Sequence, residues 1–199
     1  MDTVISPLRI VNDAVNKNAF QFIEKHVFSE QFSWMIRKTT QGGRVSYSEN
    51  CVDGFSFFHL AFADEKRYSE ISTVLEMALY ECTAKLEQPV KQIHRIIIGC
   101  LTHKNSVVKN NIHIDMQSPH KVGLLYLNDC DGDTDIFKTT FNPGDFTHSD
   151  GIIDLPDSDI EESITPEKNK FVTFSGKKFH RSTHPTNTFR RLVVNYDYS

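Results

Sequence analysis

Three side chains suited to binding one metal ion come from two distant segments of the chain. His113 and Asp115 form a His-x-Asp pair, and His180 follows much later in the sequence. In an extended backbone residues i and i+2 lie on the same side, so His113 and Asp115 can reach the same ion. With His180 they would form a two-histidine, one-carboxylate triad, which suits Fe(II) and leaves three coordination positions for a cosubstrate and oxygen. Ordinary exposed or hydrogen-bonded histidines are the alternative, since the chain contains nine.

An arginine at the start of an apolar strand suggests a receptor for an anion. Arg191 opens the sequence Arg-Leu-Val-Val-Asn-Tyr, in which alternation places its side chain on the same face as Asn195. A buried guanidinium needs an anion, and its fork geometry fits a carboxylate. A dicarboxylic cosubstrate that chelates the iron at one end would present such a carboxylate, and Tyr126 could donate a second hydrogen bond to it. For Arg190, on the opposite face, a surface ion pair is expected.

The elements that must position these residues follow from hydrophobic periodicity. From residue 92 onward, short apolar segments separated by glycine and proline indicate a barrel or jelly roll. Residues 1–91 are mixed with prominent helices, whereas the acidic stretch 145–162 is predicted to be a long surface loop or lid. The predicted helices are 16–26, capped by Asn16 or Asn18, and 68–86; the predicted strands are 7–11, 32–37, 93–101, 121–127, 171–174 and 192–196, with loops at 41–43 and 48–54.

The alternating acids at Asp129, Asp131, Asp133 and Asp135 suggest a calcium loop only at first sight. An EF-hand has glycine at the sixth loop position and glutamate at the twelfth, and this sequence has neither. We therefore expect the acidic turn to be a solvated hairpin that connects two strands.

Composition favours one cytoplasmic domain that spans residues 1–199. The chain is 24% charged and 39% hydrophobic, and its net charge of −4 argues against a non-specific binder of nucleic acid or anionic membranes. The N-terminus lacks a signal-peptide pattern, and the apolar run at 96–101 is far shorter than the ~18 residues of a membrane helix. The four cysteines include no Cys-x-x-Cys pair, which favours reduced thiols over a disulfide framework.

Four short motifs in the second half of the chain carry a family resemblance. They are HRIIIG (94–99), NIHID (111–115), LYLNDCDGDT (125–134) and FSGKKFHRSTHPT (174–186), the last followed by Arg191. In this order they resemble the Fe(II)/2-oxoglutarate-dependent oxygenase superfamily, chiefly its prolyl 4-hydroxylase-like branch and the compact oxygenases of cyanophages and marine bacteria. The resemblance covers about residues 92–199. The family's usual Gly-Gly-Glu-Thr turn reads DGDT here, and the acidic stretch is longer than expected.

The resemblance implies a fold and a set of ligands. The fold would be α+β and mainly β, with a double-stranded β-helix (jelly-roll, cupin-like) core at 92–199 and N-terminal helices from 1–91 packed on it. His113, Asp115 and His180 would bind Fe(II). Arg191 would bind the far carboxylate of 2-oxoglutarate with help from Tyr126, and Asn195 is a further candidate for the cosubstrate pocket.

The implied reaction is oxidative decarboxylation of 2-oxoglutarate by O2 to succinate and CO2, coupled to hydroxylation of a C–H bond. The prolyl 4-hydroxylase-like motifs favour a peptidyl substrate such as proline in a peptide or protein. A free amino acid, another small metabolite or a nucleobase is an open alternative; membranes and nucleic acids are not expected partners. A non-catalytic jelly roll with a structural metal is the alternative from another class. Arg191 discriminates between the classes, because a structural metal site needs no buried carboxylate receptor.

Overall fold

The computed structural model describes residues 7–37, 56–142 and 153–199. The loops predicted at 41–43 and 48–54, and the acidic stretch before residue 153, lie outside these ranges. No helix within the described ranges is long and apolar enough to cross a bilayer.

Two antiparallel sheets form the core of the protein. The larger has the order β1-β9-β6-β11-β5-β3-β2, with β4 paired to β3, and the smaller has the order β10-β7-β8. This arrangement confirms the predicted mainly β fold with a double-stranded β-helix core. The strands are β1 (Arg9–Val11), β2 (Met35–Arg37), β3 (Ser56–Ala63), β4 (Lys66–Arg67), β5 (Ile93–Thr102), β6 (Lys121–Tyr126), β7 (Thr134–Thr140), β8 (Ile160–Ile164), β9 (Phe171–Ser175), β10 (Lys178–Ser182) and β11 (Arg190–Tyr198).

Alternation along β11 divides the core into two layers. Val193 packs between the two sheets with Tyr126 of β6 and Ile136 of β7. Val194 and Tyr196 point to the other face of the large sheet, where the helices pack. Since successive side chains of a strand point to opposite faces, Arg191 and Asn195 share the inter-sheet face with Val193.

Two helices cover the outer face of the large sheet. The helix α1 (Lys17–Val27) begins after Asn16, whose side chain accepts a hydrogen bond from the backbone N–H of Ala19 as an N-cap. The helix α2 (Ser72–Ala84) begins later than predicted. Its expected first turn is not helical, because the backbone N–H of Tyr68 still donates to Ala61 of β3 and a turn at 69–71 precedes the helix.

Two predictions about acidic segments were wrong. The turn after β6 is not a hairpin, because β6 and β7 belong to different sheets. Nor is it merely solvated: Asp131 accepts five hydrogen bonds from backbone and hydroxyl groups of residues 186–188. The described part of 145–162 is structured rather than a lid, with a 3-10 helix (Asp157–Asp159) leading into β8. Ile164 buries against the other inter-sheet residues, so the strand forms despite its acidic outer positions.

Candidate metal centre

A backbone bridge brings the two histidines of the predicted triad together. His113 and His180 exchange backbone hydrogen bonds of 3.0 Å in each direction, and their ring centroids are 4.4 Å apart. His180 lies in β10, opposite Ile136 of β7. Asp115 follows in a bend, so that one side chain from each of these three positions converges on one point. Their potential ligand atoms all lie within 4.8 Å of one another.

The donor atoms are arranged for coordination. Nδ1 of His113 lies 3.2 Å from the backbone oxygen of Asn111, and Nδ1 of His180 lies 3.3 Å from that of Lys178. When these Nδ1–H groups donate, each Nε2 carries the free lone pair. Oδ2 of Asp115 is buried, lies 3.3 Å from Nε2 of His180, and has no hydrogen-bond partner among the described residues. Two imidazoles and an unpartnered carboxylate oxygen fit a divalent metal such as Fe(II).

The electrostatics of the metal-free triad favour a neutral His113, an ionised Asp115 and a proton on His180. Burial and the nearby His180 lower the pKa of His113 to about 4, so its imidazole is neutral at pH 7. Burial alone would raise the pKa of Asp115, but the contact with His180 and the charges of His180, His113 and Arg95 outweigh it and lower that pKa. Burial likewise opposes protonation of His180, but Asp115 outweighs it and raises its pKa. A bound cation would replace this proton between His180 and Asp115.

A buried guanidinium faces the same inter-sheet space. Arg191 is only 4% exposed, and its Nη2 donates to Oγ1 of Thr134 at 2.7 Å. Its Nε is buried without a partner, and no carboxylate in the described parts of the chain forms an ion pair with it. The hydroxyl of Tyr126 lies 2.8 Å from the same Thr134 oxygen, and the guanidinium carbon lies 5.5 Å from the centre of the Tyr126 ring. Burial raises the pKa of Tyr126 although Arg191 opposes this, so the phenol stays protonated.

The other two predicted positions on β11 behave differently from each other. Asn195 lies near the metal ligands, with its Nδ2 3.5 Å from Oδ1 of Asp115 and its own Oδ1 buried without a partner in the described chain. Arg190 lies on the opposite face as expected, where it packs over the ring of Phe28 at 4.3 Å instead of forming an ion pair with a described carboxylate.

Comparison with known proteins finds similarity in structure alone. No protein-family profile and no curated protein matches the sequence. A 2OG-Fe(II) oxygenase-family oxidoreductase from Burkholderia pseudomallei superposes with a TM-score of 0.65 at 11% identity, over 96% of this chain and 84% of its own. A prolyl hydroxylase from Trichoplax adhaerens, in complex with a hypoxia inducible factor peptide, superposes with a TM-score of 0.58 at 13% identity, over 96% of this chain and 82% of its own. A non-haem α-ketoglutarate-dependent carbocyclase from nogalamycin biosynthesis superposes with a TM-score of 0.65 at 13% identity, over 96% of this chain and 78% of its own.

The chain has the 2OG-Fe(II) oxygenase fold. The superfamily resemblance read from the four motifs is therefore confirmed at the level of the fold. Within that fold, the predicted triad converges on one point, and Arg191, Tyr126 and Thr134 form a polar cluster that faces the same inter-sheet space.

An open cleft in this oxygenase fold is lined by two residues that neighbour Asp115. It has a volume of about 530 Å3 and is lined by residues from the ends of β3 and β5, together with Arg95 and Met116. Met116 directly follows Asp115, and Arg95 donates to that carboxylate at 2.8 Å. The cleft therefore reaches the neighbours of Asp115, whereas His113, Asp115 and His180 are not among its lining residues.

Sequence reasoning missed three polar residues of this centre. Thr134 was noted only as part of a motif, yet its hydroxyl contacts both Arg191 and Tyr126. Arg95 was likewise only part of the HRIIIG motif and Asp197 was given no role, although their side chains pair at 2.6 Å next to Asp115. A charged residue in phase with Arg191 and Asn195 along an apolar strand was the signal that could have found Asp197.

Proposed function

We propose that this protein is an Fe(II)- and 2-oxoglutarate-dependent dioxygenase that hydroxylates a C–H bond. The observation that carries the proposal is the buried guanidinium of Arg191, which lies on the inter-sheet face and has no ion pair within the described residues. A buried charge without a counter-ion costs several kcal/mol, so a protein retains one where an anionic ligand supplies the partner. A dicarboxylate bound between Arg191 and a metal at the triad would meet both requirements.

The chain's own residues hold the reactants and their charges. His113, Asp115 and His180 would bind Fe(II), with the carboxylate offsetting part of its charge. When bound, iron and 2-oxoglutarate supply the oxidising chemistry, in which O2 is consumed, 2-oxoglutarate becomes succinate and CO2, and a C–H bond of the substrate becomes C–OH. The protein orients the reactants and excludes water from the inter-sheet space, which is lined on the same face by apolar residues such as Val193.

Three side chains would orient the cosubstrate's far carboxylate. Arg191 supplies the charge, and its unpartnered Nε is a free donor for an oxygen. Thr134 fixes the guanidinium through Nη2, and the Tyr126 phenol supplies a second donor. Asn195 is proposed to line the opposite end of the cosubstrate pocket, since its unpartnered Oδ1 and its Nδ2 lie by Asp115.

The proposed substrate is a peptidyl residue such as proline, held in the cleft beside Asp115. Support comes from the prolyl 4-hydroxylase-like motifs and from an open cleft of about 530 Å3 that is lined by Arg95 and Met116, the neighbours of Asp115. A small-molecule substrate is the alternative, because a neighbour of similar fold is a carbocyclase. Exposing the enzyme with Fe(II) and 2-oxoglutarate to peptide and metabolite pools under 18O2 discriminates between them by mass spectrometry. Label in a peptide supports the proposal, and label in a free metabolite alone contradicts it.

A binding experiment tests the enzyme proposal. Fe(II) and then 2-oxoglutarate are added to the protein without oxygen, and we expect a weak visible charge-transfer band, followed by succinate when air is admitted. His180→Ala should abolish both signals. His103→Ala, which removes an exposed histidine outside the triad, should retain them. A protein that binds metal but shows neither the charge-transfer band nor succinate would contradict the oxygenase proposal and favour the non-catalytic jelly roll with a structural metal.

A further inference from the structure

The two oxygens of the Asp115 carboxylate have different surroundings. Oδ1 accepts a hydrogen bond of 2.8 Å from Nη2 of Arg95. Oδ2 has no hydrogen-bond partner within the described chain and is the oxygen near His180, at 3.3 Å from its Nε2. The guanidinium therefore occupies one oxygen and leaves the other directed toward the histidines.

Arg95 is itself held by a second carboxylate. Its Nε donates to Oδ2 of Asp197 at 2.6 Å. The two residues are direct cross-strand partners, since Asp197 of β11 pairs with Arg95 of β5 in register. Asp197 is fully buried, and Nε2 of the buried His120 lies 3.7 Å from its other oxygen, Oδ1. Because its backbone position and its partner are both fixed by the sheet, the Arg95 side chain has little freedom to leave Asp115.

The shape of the guanidinium makes this connection directional. Nε and Nη2 lie in one rigid plane, so a carboxylate at each of them fixes the orientation of the group. A lysine ammonium is a point donor without that plane, and it cannot impose the same orientation on two carboxylates. Groups that hold a metal ligand from behind in this way commonly change metal affinity by about 10- to 100-fold when they are removed.

We propose that Arg95, anchored by Asp197, is a positioning residue that fixes Asp115 with Oδ2 facing the metal. This inference rests on the metal site of the proposed function and does not depend on the oxygenase reaction. Arg95 touches neither metal nor cosubstrate; it acts through the orientation of Asp115. Arg95 is also one of the residues that line the cleft, so it connects the cleft wall to Asp115.

Mn(II) binding to the oxygen-free protein tests the proposal without turnover. The variants are Arg95→Lys and Asp197→Asn, and free Mn(II) is measured by electron paramagnetic resonance. Arg67→Lys is the matched control, because Arg67 also donates through Nε and Nη2 to carboxylate oxygens, those of Glu76. Thermal unfolding of each metal-free variant shows whether the fold is retained.

We expect Arg95→Lys to weaken Mn(II) binding by about tenfold or more, Asp197→Asn to weaken it less, and Arg67→Lys to leave it unchanged. If Arg95→Lys does not fold, Asp197→Asn decides: weaker Mn(II) binding supports the proposal and wild-type binding refutes it. Wild-type affinity in a folded Arg95→Lys protein also refutes it. If Arg95→Lys weakens Mn(II) binding but the wild-type protein forms no succinate, the oxygenase proposal is refuted and this inference is supported. If the wild-type protein binds no metal, both are refuted.

Discussion

Replacing Arg191 by methionine should separate cosubstrate binding from folding. The variant would leave the far carboxylate of 2-oxoglutarate without its cation in a buried pocket. Removing one partner of a buried charge pair costs roughly 2–5 kcal/mol, and every 1.4 kcal/mol is a factor of ten. We therefore expect the 2-oxoglutarate Kd to rise about thirtyfold or more. Arg191→Lys keeps the charge and loses the forked guanidinium, so its 2-oxoglutarate Kd should lie between those of Arg191→Met and the wild type.

The ligand-free Arg191→Met protein should show the opposite effect on stability. In the wild type the Arg191 residue is 4% exposed, its Nη2 donates to Thr134, and its Nε has no partner among the described residues. Removing a buried charge that lacks a counter-ion is favourable, and a net gain of about 1 kcal/mol would raise Tm by about 2–4 °C for a chain of this size. If replacing Arg191 lowers the protein's affinity for 2-oxoglutarate and raises its stability, the residue serves binding and not folding.

The assay is an anaerobic titration of 2-oxoglutarate at saturating Fe(II), followed at the charge-transfer band, together with calorimetric unfolding without ligand. Arg190→Met is the matched control, since the adjacent side chain lies on the opposite face over Phe28. It should leave 2-oxoglutarate affinity unchanged and lower Tm slightly. Unchanged affinity in Arg191→Met, or an equal loss in Arg190→Met, would refute the carboxylate-receptor assignment.

Three further predictions concern the residues that support this pocket. Thr134→Val removes the hydroxyl between Arg191 and Tyr126 and should weaken 2-oxoglutarate about tenfold with little effect on Mn(II) binding, as isothermal calorimetry would show. Gly132→Ala should lower both Tm and 2-oxoglutarate affinity, because a Cβ there would lie 2.5 Å from the Thr183 carbonyl oxygen and 3.1 Å from Cδ of Arg191; retained Tm would contradict this packing. Asp131→Asn should destabilise the protein by roughly 1–2 kcal/mol at pH 7 in denaturant unfolding. Burial opposes the shift, but hydrogen bonds from residues 186–188 outweigh it and lower the folded-state pKa of Asp131. The contribution of Asp131 to stability is therefore present above the ordinary carboxyl pKa of ~3.9 and is lost as the pH falls below that value. The variant and wild type should therefore converge in stability only in acid.

Local periodicity accounts for much of what the sequence could predict. The alternation of β11 correctly placed Arg191 and Asn195 on one face, because the period of a strand is a local property. It could not show that Asn195 would lie by Asp115, since that distance depends on how a bend and two sheets meet. The backbone bridge between His113 and His180 is likewise a long-range pairing: the sequence proposed both histidines as ligands of one ion, but it could not show that their backbones pair.

The acidic segments show where composition misleads. Asp131 looked solvated, yet it accepts hydrogen bonds from a turn more than fifty residues later in the sequence. The strand β8 looked like a loop because its three central residues are exposed and polar, while Ile160 and Ile164 at its two ends pack against buried clusters. Arg95 was overlooked for a related reason, because an arginine in a strand is usually an exposed one. In each case the partner that gives the residue its role lies far away in the chain.

The fate of molecular oxygen tests the central claim most directly. Wild-type protein with Fe(II) and 2-oxoglutarate is exposed to 18O2, and the succinate formed is measured by mass spectrometry. An oxygenase of this type transfers one atom of O2 to the new succinate carboxylate, so we predict singly labelled succinate that is absent from His180→Ala. Metal-loaded wild-type protein that forms no succinate, or forms only unlabelled succinate, would contradict the account.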